Sequence, residues 1–193
     1  MNKDSANPTY TPATADQRTA GDKAFEQALH DKTPIPVSPD GTPGFGYSGP
    51  QVAPRGWWAW NDDPRMEDRS AAEVAAMRYF PGFKIYREPD GARRWYWAGQ
   101  VKSDSGHTYD LEITYPDNFP VQSPVAFIPN LPLKNVSELH RFKDGQLCLF
   151  KPGERGIEPG QTAADIVRRA ALWVRAYEFF CRNSYWPGPA ASH

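Results

Sequence analysis

Cysteine is scarce in this chain: Cys148 and Cys181 are the two present among 193 residues, too few and too unpatterned for a disulfide framework. The four histidines, His30, His107, His140 and His193, stand far apart, and no Cys or His pair has the spacing of metal ligands, so no structural metal is expected. No apolar run approaches the roughly 18 residues of a membrane span, and the start is not basic-then-apolar, so neither a span nor a signal peptide is read. Charge of one sign is also lacking. With 22 Lys and Arg against 23 Asp and Glu the formal net charge is −1, and no global field draws in nucleic acid or a membrane surface. These absences point to a soluble, cytoplasmic chain with one domain of moderate size.

Proline, glycine and aromatic residues are plentiful instead. Residues 1–66 include TPIPVSPDGTPGFGYSGPQVAP, where Pro and Gly interrupt every few positions and deny both helix and ladder hydrogen bonds. They read as an extended N-terminal arm, separable from a domain over 67–193. One short helix is expected within 15–30, where Ala24, Phe25, Ala28 and Leu29 make a small apolar face. Three of the seven tryptophans, Trp57, Trp58 and Trp60, sit in WWAW. That apolar surface must either pack back on the arm's own domain or dock a partner.

From residue 67 the pattern becomes globular. DRSAAEVAAMRYF predicts a helix capped by Ser70, with Glu73 in a capping box and Pro81 as a stop. Four strand-like runs follow: FKIYRE (83–88), RWYWAGQV (94–101), HTYDLEITY (107–115) and PVAFI (124–128). The turn-forming segments between them make an antiparallel meander the economical topology. Residues 129–161 then carry no clear element, and a long irregular stretch inside a compact domain is usually functional or disordered. TAADIVRRAALWVRAYEFFCRNS (162–184) closes the domain as a helix. Thr162 caps it, Asp165 stands at N3, and Ile166, Ala170, Trp173, Tyr177 and Cys181 form its apolar face. Arg168 and Arg169 read as its solvated side.

The irregular stretch bears Cys148 in DGQLCLF (144–150), directly after an Asp-Gly turn. Such a cysteine is either a small core residue or a nucleophile displayed on a bend. The contexts predict that Cys148 is the more exposed of the two thiols, and Cys181 a buried one. A Cys/His hydrolase would need an orienting Asn or Asp, and none stands at a recognisable spacing.

Element order and local residues together resemble the ubiquitin-conjugating enzyme (UBC) family over about residues 67–184. Tyr115-Pro116, Phe119-Pro120 and Ser123-Pro124 fall where that family has an aromatic-Pro closing its third strand and prolines entering its fourth. Gly145-Gln146-Leu147-Cys148-Leu149 resembles the segment bearing its catalytic cysteine. His140 holds the position, eight before the cysteine, of the Asn in its His-Pro-Asn signature. Ile157-Glu158-Pro159 stands near the place of its Trp-Ser-Pro. ALWVRAYEFF with YWPGPAASH is more narrowly similar to the stand-alone conjugating-enzyme modules of bacterial type II CBASS antiphage operons.

The resemblance implies an α+β, UBC-like fold: an N-terminal helix, a four-stranded antiparallel meander, a long active-site loop and a C-terminal helix, preceded by the arm. It implies a cysteine-dependent acyl transferase in antiviral defence. Cys148 would form a thioester with the C-terminal tail of a partner protein, a cGAS-like nucleotidyltransferase, and pass it to an amine without a cofactor. The chain has neither the length nor a Gly-rich loop for adenylating a carboxylate, so activation would fall to a separate activating enzyme. His140 is the candidate donor to the oxyanion, His193 an accessory candidate, and Trp57, Trp58 and Trp60 a candidate partner strip. The other reading is a catalytically silent UBC-like adaptor that binds a partner's tail or surface.

Overall fold

The computed structural model describes residues 20–31, 35, 37–42, 66–87, 95–116, 119, 122–131, 140–150 and 161–187. In chain order the elements are α1 (Ala20–His30), α2 (Met66–Met77), β1 (Lys84–Arg87), β2 (Trp95–Lys102), β3 (Thr108–Thr114), β4 (Val125–Phe127) and α3 (Ala163–Asn183). The strands form one antiparallel sheet in the order β1-β2-β3-β4. This is the α+β, UBC-like arrangement of elements that the sequence implied.

Alternation decides which face is covered. Trp97 and Val101 of β2, Tyr109, Leu111 and Ile113 of β3, and Ala126 of β4 are buried on one face, with Trp97 opposite Ile113 and Val101 opposite Tyr109. Helix α3 packs there with Ile166, Val167, Ala170 and Val174 in the same core. Fully burying a side chain of Leu or Ile size is worth about 1.5–3 kcal/mol, so this sheet-helix layer holds the domain together. Gly99 is part of it: a Cβ at that position would lie 2.6 Å from the Phe83 ring, which is seated over the bare backbone.

Helix α3 begins as its sequence predicts. The Thr162 hydroxyl accepts from the Asp165 amide at 3.3 Å, and the Asp165 carboxylate accepts from the Thr162 amide at 2.9 Å. Helix α2 does not. It starts at Met66, so Ser70 lies inside it rather than at its cap, and Glu73 serves elsewhere. The buried Glu73 carboxylate accepts from the Ala163 amide at 2.8 Å and from the Tyr115 hydroxyl at 3.1 Å, while that hydroxyl accepts from Trp97 Nε1 at 2.8 Å. An orphan amide and the positive end of a helix dipole outcompete the local capping role.

Packing also crosses the compositional boundary at residue 66. Asp22 of α1 is buried between Arg175 and Arg182 of α3, at 3.0 and 2.6 Å. The Arg175 guanidinium lies over the Phe25 ring. Val37 joins the core, and its carbonyl accepts from the Tyr79 hydroxyl at 3.2 Å.

Candidate functional site

The Asp-Gly turn before Cys148 is a tight hairpin. Gly145 donates to the Phe142 carbonyl at 3.0 Å and Phe142 donates to Gln146 at 2.9 Å. Gly145 has φ of 93°, left-handed backbone that only glycine takes readily. Arg141 faces Leu147 across the hairpin, and Gln146 bridges Phe127 of β4. Leu147 is buried, with its amide donating to Ala126 at 2.8 Å. Within the stretch that looks structureless in sequence, residues 141–147 are therefore an added hairpin fastened to the end of the sheet, and Cys148 is the next residue.

At the base of this hairpin Cys148 and His140 meet directly: the Cys148 amide donates to the His140 carbonyl at 2.8 Å. The same carbonyl accepts a second bond, from Trp173 Nε1 of α3 at 3.0 Å. His140 itself has φ of 51°, which non-glycine residues seldom adopt and which tends to mark functional positions. Its ring is stacked on Trp186, with centroids 4.4 Å apart and planes 20° from parallel. Beyond the cysteine, Arg169 of α3 donates to the Leu149 carbonyl at 3.4 Å and lies over the Phe150 ring at 4.6 Å.

The expected contrast in exposure between the two thiols is not found. Cys148 and Cys181 are both partly buried, because Leu149 and Phe150 fold against the core beside Cys148 much as the apolar face of α3 does beside Cys181. Burial pushes both thiols above the ordinary range. At Cys148 a hydrogen bond with the Phe150 backbone opposes that rise, and at Cys181 the main opposing influence is a hydrogen bond to Tyr177.

Of the residues singled out in sequence, the structure brings Cys148 and His140 together, while Trp57, Trp58, Trp60 and His193 lie outside the described residues. Three residues that fix the site were not recognised: Arg169, read as solvated, Trp173, read as part of the apolar face of α3, and Trp186, noted only within YWPGPAASH. A signal for the first exists, since Arg169 stands one helical turn before Trp173 and so on the same side of α3. A groove of about 820 Å³ opens on the outer face of the sheet between Lys84, Tyr86, Lys102 and Glu112. Neither Cys148 nor His140 lines it, so the site is built from those two residues and their supports. Among the described residues no group of His, Cys, Asp or Glu could hold a metal ion, and no helix is long and apolar enough to cross a membrane.

Residues 73–193 match the family model described as type II CBASS E2 protein. A solved ubiquitin conjugating enzyme E2 from Plasmodium falciparum is similar at 19% identity, over 56% of this chain and 97% of that one, with a TM-score of 0.40. No curated protein matches the chain. Because the family match takes in the whole sheet, the hairpin bearing Cys148 and all of α3, more than half of the sequence, the chain belongs to the type II CBASS E2 family.

Proposed function

We propose that this protein is a cysteine-dependent acyl transferase in which Cys148 carries the C-terminal acyl group of a partner protein as a thioester, and His140 assists its transfer to an amine. The observation that carries the reading is the direct bond between the Cys148 amide and the His140 carbonyl, which makes nucleophile and candidate donor neighbours on one braced hairpin. Family membership supports a protein partner from the same operon, and the partner we propose is a cGAS-like nucleotidyltransferase.

The steps ask little of the protein. The Cys148 thiolate attacks the carbonyl carbon of an acyl group already activated as a thioester on a separate activating protein. The donor sulfur leaves as a thiolate and takes up the proton that Cys148 released. An amine then attacks the same carbonyl and loses a proton, and the Cys148 sulfur departs. Each attack passes through a tetrahedral oxyanion, which a ring N–H of His140 would stabilise.

The test is a non-reducing gel, with intact mass, of the chain mixed with its operon neighbours. Wild type is expected to give a thiol-sensitive adduct, and Cys148→Ala none. His140→Ala should form the adduct and discharge it about 10²–10³-fold more slowly, the usual effect of losing one oxyanion donor. An adduct persisting in Cys148→Ala would assign the chemistry to another residue. One observation favours the second reading, a silent adaptor: the Cys148 thiol is half-buried and pushed up in pKa. Tight partner binding with no adduct in wild type would establish that reading.

A further inference from the structure

His140 has its backbone held and its ring held by different partners. Two donors, Cys148 N and Trp173 Nε1, lock the carbonyl, and a φ of 51° sets the residue outside its own preference. Neither of these backbone constraints by itself sets the plane of the imidazole. The Trp186 face does, stacking at 4.4 Å and 20°. Trp186 is itself wedged between Trp173, at 5.5 Å, and Phe180, at 6.3 Å.

Trp186 does not belong to the helix on which those two residues sit. Helix α3 stops at Ser184, in left-handed backbone with φ of 62°, so the direction taken by Tyr185 and Trp186 depends on what anchors them. Tyr185 is pinned twice: its hydroxyl donates to Glu26 of α1 at 2.9 Å, and its ring meets Phe179 edge-on at 5.2 Å. Helix α1 lies wholly outside residues 73–193, the stretch that matches the family. It nevertheless reaches the His140 ring through two consecutive aromatic residues.

We propose that Trp186 is a positioning residue for the His140 ring in the transfer step, and that the Glu26–Tyr185 bond keeps Trp186 in place, which makes α1 a working part of the reactive centre. This rests on the thioester reading above. The stack holds the imidazole of His140, whose backbone is bonded to Cys148, in one orientation, so that a ring N–H would be in place before the oxyanion forms. Pre-placed donors are the ones that accelerate such steps, because nothing must reorganise at the moment of reaction.

The experiment uses the full chain and two readouts. Proton NMR of the His140 ring, assigned by its loss in His140→Ala, should show an upfield ring-current shift that disappears in Trp186→Leu and survives in Trp186→Phe. Leucine keeps apolar volume without a π face. Discharge of preformed Cys148 thioester to a small amine should slow in Trp186→Leu by most of the factor seen in His140→Ala, and Trp186→Phe should restore it. The double variant His140→Ala/Trp186→Leu should discharge no more slowly than His140→Ala alone. Tyr185→Phe and Glu26→Gln, which leave the stacking ring intact, should each slow discharge a few-fold without reducing thioester formation. Wild-type discharge in Trp186→Leu despite a lost ring-current shift would overturn the inference. So would multiplicative losses in the double variant, because Trp186 would then act independently of His140. Should Trp186→Leu fail to fold, unchanged discharge in both Tyr185→Phe and Glu26→Gln would overturn the role given to α1. Absence of any thiol-sensitive adduct in wild type sinks the thioester reading itself, a separate outcome that takes this inference with it.

Discussion

Helix α3 serves two polar neighbourhoods built on opposite terms. Along Arg175, Glu178 and Arg182 the currency is charge. Asp22 bridges both arginines, Arg175 also holds Asp104 at 2.6 Å, and the buried Glu178 carboxylate accepts from Ser105, Tyr109 and His107 at 2.6, 3.1 and 3.0 Å. At the His140 carbonyl the bonds described are neutral, one carbonyl, two N–H donors and a stack of rings, with the Arg169 guanidinium set farther along on the Leu149 carbonyl and the Phe150 ring. A buried ionic cluster is unforgiving, since removing one partner strands the others away from water. A neutral site of this kind contributes little to stability and leaves geometry as its product. The difference predicts that damage to the first neighbourhood is read mainly in folding, and damage to the second mainly in chemistry.

The largest expected effect is therefore on stability. Asp22→Ala leaves Arg175 and Arg182 without their shared carboxylate and should cost about 3–5 kcal/mol, measured by urea unfolding. Thioester formation at Cys148 should survive under conditions where the variant is folded. A loss below about 1 kcal/mol would mean that the arginines reach water or other acids, and the contrast would weaken. Gly145→Ala comes next. A φ of 93° should cost roughly 1–2 kcal/mol by the usual penalty for left-handed backbone, and a thermal melt would detect it. An unchanged melting temperature would show that the hairpin relaxes without harm.

Trp173→Phe keeps the ring and removes one of two donors to the His140 carbonyl, so stability should fall by only about 1 kcal/mol. Thioester discharge should slow by a larger factor than that figure implies for folding. Equal effects on both would make Trp173 a plain core residue. The smallest effect concerns the thiols. Burial disfavours the thiolate at Cys148 and Cys181 alike, so both pKa values rise and the thiolate fraction near neutrality falls below that of an open cysteine. Alkylation by iodoacetamide should be slow at both near pH 7. It should keep accelerating as pH rises past about 8.5, where an ordinary thiol begins to level off. Rapid labelling of Cys148 at neutral pH would show that partner-free chain already exposes the sulfur.

What was legible in the sequence follows the distance over which each feature is decided. The four strands declared themselves through alternation, as in Tyr109, Leu111 and Ile113, and α3 through Thr162 and Asp165, because neighbours in sequence settle those choices. Glu73 was misread because its partners, Ala163 and Tyr115, are 90 and 42 positions away. No local pattern says which of two helix ends a carboxylate will serve. Asp144-Gly145 announced a turn but not that Gln146 and Leu147 would bridge to β4. Cys148 stood out through the turn before it, and His140 through family resemblance. Trp173 and Trp186, which hold His140, carry no local mark beyond being aromatic.

The bond between Glu26 and Tyr185 joins residues 159 positions apart, whereas the turn at Gly145 closes over three. Loop-closure entropy rises with the length of chain enclosed, and contacts of long separation are the slow ones to form. The hairpin carrying Cys148 can be complete while α1 is still searching for its partners on α3. Maturation of this protein should then pass through a form in which the thiol is already mounted and the imidazole is not yet clamped, with chemical competence arriving last. Pulsed hydrogen exchange would register it as protection at the Cys148 amide earlier than at the amides of α1.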